Sequence, residues 1–236
     1  RYGSMMQTIA GIHYNFSFSD KFFNILVSLE KEKNEKELKN EVYLHVARNF
    51  KRYGWLYFFL YGASPAVCDS CVEKTEYGLD NLPGGGLYKP NATSLRMGDL
   101  GYISKAQDEL NISYNNLDEY CLDLGNALTT PYKKYQEIGE FEDNERVQLN
   151  SSIIQIENEY YSTIRPKRVC PTGERPVNVL RTKGIEYLEL RCVDLDPFSP
   201  VGVRRDQLDF MDTLLMYCLL TESPPIEREE AETIKS

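Results

Sequence analysis

Along residues 6–18 the even positions, Met6, Thr8, Ala10, Ile12, Tyr14, Phe16 and Phe18, are mostly apolar and rich in aromatic and β-branched side chains, whereas Gln7, His13, Asn15 and Ser17 fall between them. Alternation with period two predicts a strand with one face on a core. The apolar row seats the strand, and Gln7, His13 and Asn15 then point together into a cleft. Gly11 leaves that face bare beside the imidazole. Such a strand is either the floor of a ligand or metal site or an amphipathic strand whose polar side meets water. Residues 152–161 alternate in the same way, with Ile154, Ile156 and Tyr160 set against Gln155, Glu157 and Glu159. Pro166, which cannot donate to a ladder, is expected to stop that strand. A third alternating stretch, residues 184–195, places Tyr187, Glu189 and Arg191 on one face and Leu188, Leu190 and Cys192 on the other.

Between these stretches the period becomes helical. Ser19 or Asp20 can cap a helix through Phe22, Phe23, Ile25, Leu26 and Leu29. After a charged linker at 30–36, one long helix is expected from Leu38 through Val42, Val46, Phe50, Trp55 and Phe59, ending at Gly62. His45 lies on it and reads as a packed helix residue. Asn116 caps a further helix over 117–128, an acidic loop covers 137–145, and a last amphipathic helix carries Leu208, Met211, Leu214, Leu215, Cys218 and Leu219 before Pro224-Pro225. The tail from Ile226 is acidic and polar. Residues 75–90 read as a loop. Gly84-Gly-Gly ahead of Lys89 lacks the G-x-x-x-x-G-K-[ST] spacing of a phosphate cradle, which favours a surface loop. Three alternating strands separated by long helices, without a short βαβ rhythm, give an α+β fold: an antiparallel sheet with helices on one face and polar groups on the other.

Composition narrows the choice of partner. At 236 residues and 42% hydrophobic content the chain can bury one sizeable core, so a single domain over 1–236 is expected. The net charge of −9 and the absence of a basic stripe exclude a nucleic-acid backbone as partner. The longest apolar run, residues 55–61, is far too short for a bilayer, and the protein reads as soluble. Six cysteines spread through a chain of this size read as reduced thiols, and the lone Cys68-x-x-Cys71 lacks the second pair that zinc would need. Three glycosylation sequons, at Asn91, Asn111 and Asn150, are discounted because no signal peptide is evident. A strand that begins almost at Arg1 suggests an excerpt from a longer protein.

Two features carry candidate chemistry. Arg96, in a loop rich in hydroxyls, can fork onto a carboxylate or pair with Asp99. Glu189 and Arg191, two apart on one strand face, either pair with cross-strand neighbours or form a metal-holding carboxylate beside a phosphate-binding guanidinium.

Six segments also resemble a known family. They are Gly11-Ile-His-Tyr-Asn-Phe, Gly62-Ala-Ser-Pro, Ala92-Thr-Ser-Leu-Arg followed by Asp99-Leu-Gly-Tyr, Gln155-Ile-Glu-Asn-Glu, Ile164-Arg-Pro-Lys-Arg, and Gly184-Ile-Glu-Tyr-Leu-Glu-Leu-Arg through Asp196-Pro-Phe-Ser-Pro. In order and over nearly the whole chain they resemble bacterial glutamate–cysteine ligase (γ-glutamylcysteine synthetase) of the proteobacterial type. Ile164-Arg-Pro-Lys-Arg favours this type over the bifunctional glutathione synthases.

The resemblance implies a glutamine-synthetase-like sheet and a cytoplasmic enzyme of glutathione biosynthesis acting on L-glutamate, L-cysteine and ATP. ATP would phosphorylate the γ-carboxyl of glutamate, and the cysteine amine would attack the acyl phosphate. It implies Mg²⁺, with Mn²⁺ also accepted because an imidazole is among the ligands. His13 and Glu189 match metal positions, Arg191 the position facing the transferring phosphoryl group, and Gln7, Asn15, Arg96, Tyr102 and Tyr161 the substrate pockets. The family's glutamate-rich metal motif would lie upstream of Arg1 and a helical portion beyond Ser236, so the chain as given is expected to be inactive alone. A non-catalytic domain that keeps the fold and binds an amino acid or nucleotide is the alternative.

Overall fold

The computed structural model describes residues 10–71, 78–98, 104–108 and 110–235. Gln7 and Tyr102 lie outside them, as does the part of the first predicted strand before residue 10. The remainder of that strand forms β1 (Gly11–Phe16). It is followed by α1 (Asp20–Leu29), whose first turn is capped by the Ser19 hydroxyl accepting from the Phe22 N–H.

The long helix expected next is two helices, α2 (Glu35–Tyr53) and α3 (Trp55–Tyr61), with Gly54 between them. Gly54 keeps helical dihedrals, and a Cβ there would stand 2.6 Å from the Phe50 carbonyl oxygen and 2.9 Å from its ring. Close packing of the Phe50 ring across the joint is what demands glycine. Two-residue strands β2 (Ala66–Val67), β3 (Asp80–Asn81) and β4 (Leu87–Tyr88) make a small sheet with β4 in the middle. Gly84, Gly85 and Gly86, all at positive φ, turn the chain between β3 and β4, in keeping with the expected surface loop.

Helix α4 (Leu117–Thr129) is capped by Asn116 as its sequence predicts. Helix α5 (Lys133–Ile138) and the hairpin β5 (Phe141–Glu142) with β6 (Glu145–Arg146) follow. The strand predicted over 152–161 is not one. Polar side chains there capture the backbone: Leu149 N–H donates to Gln155 Oε1, Ser152 N–H to Asn150 Oδ1 and Gln155 N–H to Glu159 Oε2, and residues Glu157–Glu159 form a 3₁₀ turn. Local bonds of this kind compete with a ladder. The strand lies just downstream, at β7 (Ile164–Lys167), and contains Pro166 rather than ending before it. As an edge strand, β7 needs donors toward one neighbour only, and that is where proline is tolerated.

After α6 (Pro176–Lys183), β8 (Tyr187–Asp194) runs between β1 and β7, antiparallel to both. Helices α7 (Arg205–Leu220) and α8 (Arg228–Lys235) complete the chain. Leu188, Leu190 and Cys192 face the core, where they meet Val46, Phe50 and Leu215, all essentially inaccessible. Among the described residues no helix is long and apolar enough to cross a membrane. Cys68, Cys121, Cys170, Cys192 and Cys218 are free thiols.

Helix α2 is fastened to the end of α7 by a buried amide. Asn49 Nδ2 donates to the Cys218 and Thr221 carbonyls at 2.8 and 2.9 Å, and Arg52 donates to its Oδ1. His45 Nε2 also meets the Thr221 carbonyl, at 2.8 Å. Replacing Asn49 by Ala strands the Cys218 carbonyl, the Thr221 carbonyl keeping His45, and should lower stability by about 1–3 kcal/mol. A fall in the urea midpoint measures this, and an unchanged midpoint would mean that water substitutes for the amide.

Candidate active site

The register of β1 on β8 contains a bulge. From Ile12 to Tyr14 strand β1 advances two residues while β8 goes from Val193 to Leu190, so Arg191 and Cys192 stand together against His13. The extra residue resets the alternation of β8. Cys192 and Val193 are both buried in the core, and the next residue, Asp194, comes out bonded to Arg96 rather than packed with Leu188.

Glu189 and Asp194 are buried carboxylates on this strand, and each has an arginine. Arg165 of β7 stands opposite Glu189 and reaches its Oε2 at 2.6 Å through Nη2 and 3.1 Å through Nε. Its Nη1 donates to the carbonyls of Glu157, Asn158 and Tyr160. Arg96 comes from a 3₁₀ turn, Leu95–Met97, and donates from Nε to Asp194 Oδ1 at 2.6 Å. The Ala63 N–H and the Ser64 hydroxyl fill Asp194 Oδ2. The Arg96 guanidinium lies flat on Gly11, where a Cβ would come within 2.6 Å of its Cζ. Arg96 Nη2 is buried and has no hydrogen-bond partner among the described residues.

His13 links the two ends. Its Nδ1 is 3.6 Å from Glu189 Oε1, and its Nε2 accepts from Arg191 Nε at 3.2 Å. The Nε2 lone pair is thereby used, which puts the proton of the neutral ring on Nδ1. Burial and the Arg191 charge hold the imidazole below its ordinary pKa, against the opposing pull of Glu189. For Glu189 burial pushes the carboxyl up, but the charge and hydrogen bonds of Arg165, helped by Lys167 and His13, outweigh it and hold the pKa below the usual value.

A cavity of about 600 Å³ opens over this face, within the range of small-molecule sites. Gly11, His13, Arg96, Tyr161 and Arg191 line it. The polar face predicted from alternation is thus present: His13, Glu189 and Arg191 adjoin one another. Asn15 stands opposite Glu189 in the ladder but is exposed and does not line the cavity. Sequence reasoning missed Arg165 and Asp194 as site residues. Ile164-Arg-Pro-Lys-Arg stood out as a basic cluster in an acidic chain, and that was the available signal for Arg165; Asp194 had none, because the bulge cannot be read from alternation.

The donors fit only a corner of a divalent-metal site. Arg165 holds one Glu189 oxygen and Arg191 holds the imidazole lone pair, which leaves Glu189 Oε1 facing His13. Among the described residues no group of three or more His, Cys, Asp or Glu side chains can hold a metal. Magnesium asks for six oxygen-rich positions.

Fold and site together define an α+β protein with an arginine-lined cavity on the polar face of an antiparallel sheet. The family model for glutamate-cysteine ligase matches residues 1–236. The chain belongs to the glutamate–cysteine ligase family. It is 47% identical over 236 residues to a glutamate–cysteine ligase of Hahella chejuensis and 48% identical over 234 residues to one of Alcanivorax borkumensis, covering 100% and 97% of this chain and 45% of each relative. The chain therefore spans under half the length of these relatives. A crystal structure of the Francisella tularensis glutamate–cysteine ligase in complex with AMP superposes with a TM-score of 0.90 at 39% identity, over 100% of this chain and 46% of that one. A bifunctional glutathione synthetase from Pasteurella multocida gives 0.70 at 26% identity, over 99% and 26%.

Arg165→Met should leave Glu189 buried without its counter-charge, at a cost of about 3–5 kcal/mol near neutral pH. The pH dependence should then invert. In the wild type the depressed Glu189 pKa contributes stability that is present above its unfolded value and is lost as pH falls through the folded value. Without Arg165, burial raises the folded pKa, so the variant's deficit should shrink on acidification as Glu189 takes up a proton. Urea midpoints at pH 7 and pH 4.5 test this; a deficit independent of pH would mean that Glu189 finds another partner.

Proposed function

We propose that this chain is one partial catalytic domain, of the glutamine-synthetase-like type, from an ATP-dependent ligase. The enzyme joins the γ-carboxyl of L-glutamate to the amine of L-cysteine through a γ-glutamyl phosphate, the first step of glutathione biosynthesis, and acts in the cytoplasm. The observation that carries this reading, beside family membership, is the set of three guanidiniums whose charges all act on the His13 ring, Arg165 paired with Glu189, Arg96 with Asp194 and Arg191 bonded to the ring itself. Glutamate, ATP and an acyl phosphate are all anionic, and fixed cations in a shielded cavity suit them.

Within that reading each residue has a distinct task. The unpartnered Arg96 Nη2 takes a substrate carboxylate, for which a buried donor without an acceptor is suited. Tyr161 walls the amino-acid pocket. The family resemblance assigns Gln7, Asn15 and Tyr102 to substrate binding as well, although Asn15 stands outside the cavity wall and Gln7 and Tyr102 lie outside the described residues. Arg191 is held in place by the His13 ring and the Tyr160 carbonyl before any ligand arrives, so its charge can meet the phosphoryl group without reorganising. His13 and Glu189 supply one corner for Mg²⁺ or Mn²⁺, whose role would be to neutralise phosphate charge; the other ligands come from the phosphates and from outside the described residues. A non-catalytic binder of amino acids would have little use for a phosphoryl-facing arginine.

In the full chain, Arg191→Lys should depress turnover far more than it weakens glutamate binding, because a point ammonium cannot reproduce a forked contact. Loss of such a donor typically raises the barrier by about 3 kcal/mol. ADP release with glutamate, cysteine and magnesium ATP is the assay. A raised Michaelis constant for glutamate with unchanged turnover would place Arg191 in substrate binding instead. Absence of ADP release by the wild-type full-length protein, of which this chain is a part, would overturn the ligase reading itself.

A further inference from the structure

The cavity over the sheet has a second end. From Gly11 and Arg191 it extends past Tyr160 and Ser162 to the last turn of α2 and the start of α3, where Phe50, Lys51, Trp55 and Phe58 form the wall. Lys51 is the cation at that end. Its Nζ has no carboxylate or hydrogen-bond partner among the described residues and stands 4.9 Å over the ring of Tyr114. Tyr114 is itself fixed, its hydroxyl donating to the Ile164 carbonyl at 2.7 Å. The neighbouring cations are already satisfied. Arg48 donates to the Tyr114, Asn115 and Ser223 carbonyls, and Arg52 pairs with Glu230. Lys235 faces the same space and donates to the Leu110 carbonyl, with Asp108 the one carboxylate among the lining residues. Burial, and then the like charge of Lys235, pull the Lys51 amine down to about 8, as expected of an ammonium that lacks a counter-ion.

We propose that the Lys51 end of the cavity is a second anion subsite, which takes the carboxylate of a small organic acid whose apolar body lies along Trp55, Phe58 and Met97. The aromatic wall excludes water and strengthens the ammonium–carboxylate contact, while Lys235 adds attraction at the rim. An inorganic anion would gain the charge contact and lose the wall. The subsite adds to the cationic face of the sheet and does not depend on the ligase reading, since its test involves no turnover.

The probe is 3-phenylpropionate, titrated into the full chain and followed by calorimetry, with inorganic phosphate as the comparison. Lys51→Arg should bind the probe within about threefold of wild type, and Lys51→Met at least about tenfold more weakly, the effect of losing one charge-assisted hydrogen bond. Phosphate should bind at least tenfold more weakly than the probe. Should Lys51→Met fail to fold, the wild-type chain decides. Its lysines are dimethylated with ¹³C-formaldehyde and the Lys51 signal is identified by its absence in Lys51→Arg; that signal should shift on addition of the probe and its titration midpoint should rise, because a bound carboxylate favours the ammonium. Equal affinity of Lys51→Met and wild type, an unmoved Lys51 signal, or phosphate binding as tight as the probe would each overturn the proposal.

Discussion

Strand β8 buries two carboxylates, Glu189 and Asp194, and most of what surrounds the sheet follows from the need to give each a positive partner. An unpaired buried charge costs several kcal/mol, more than any single apolar contact nearby could offset. Arg165 comes from the adjacent strand and Arg96 from a loop about a hundred residues away along the chain. Each arginine also fixes backbone that has no regular structure of its own. Arg165 ties down residues 157–160 through their carbonyls, and the Arg96–Asp194 pair, with Ala63 and Ser64, fastens the end of α3 to the sheet. The irregular segments that wall the cavity are thus held by charge pairing as much as by apolar packing.

Having neutralised each other, the paired charges do not all disappear from the cavity. Among the described residues Arg96 keeps an unmet donor, and Arg191, set between the two pairs, is positioned in part by the neutral His13 imidazole. A chain with a net charge of −9 therefore presents a locally cationic face over its sheet. This local field, rather than the overall charge, governs which small molecules are drawn in. A negative overall charge and a locally cationic cavity are compatible because they act over different distances.

Gly11 and Gly54 show how close approach, not turn geometry, can demand glycine. Neither has a positive φ. One admits the Arg96 guanidinium against a strand and the other the Phe50 ring against a helix joint. Any Cβ at Gly11 would displace the Arg96 guanidinium, so that bare strand face shapes the cavity although it contributes no side chain.

The amino-acid pattern by itself determined the polar face. Alternation in β1 and β8 placed His13, Glu189 and Arg191 on one side and Leu188, Leu190 and Cys192 on the other, because period two is a property of the strand backbone whatever its neighbours. Caps at Ser19 and Asn116 and the stripe of α7 were equally legible, being local. The failures were also physical. The polar side chains of residues 149–159 bond their own backbone, which no periodicity reveals, and so the second strand was placed one segment too early. Pro166 is tolerated only because β7 lies at an edge, and edge position is a fact of topology. Tertiary structure alone decided which arginine meets which carboxylate. The bulge opposite His13 shifts the phase of β8 and delivers Asp194 to Arg96, and a one-residue change of register is invisible to a pattern read along a single strand.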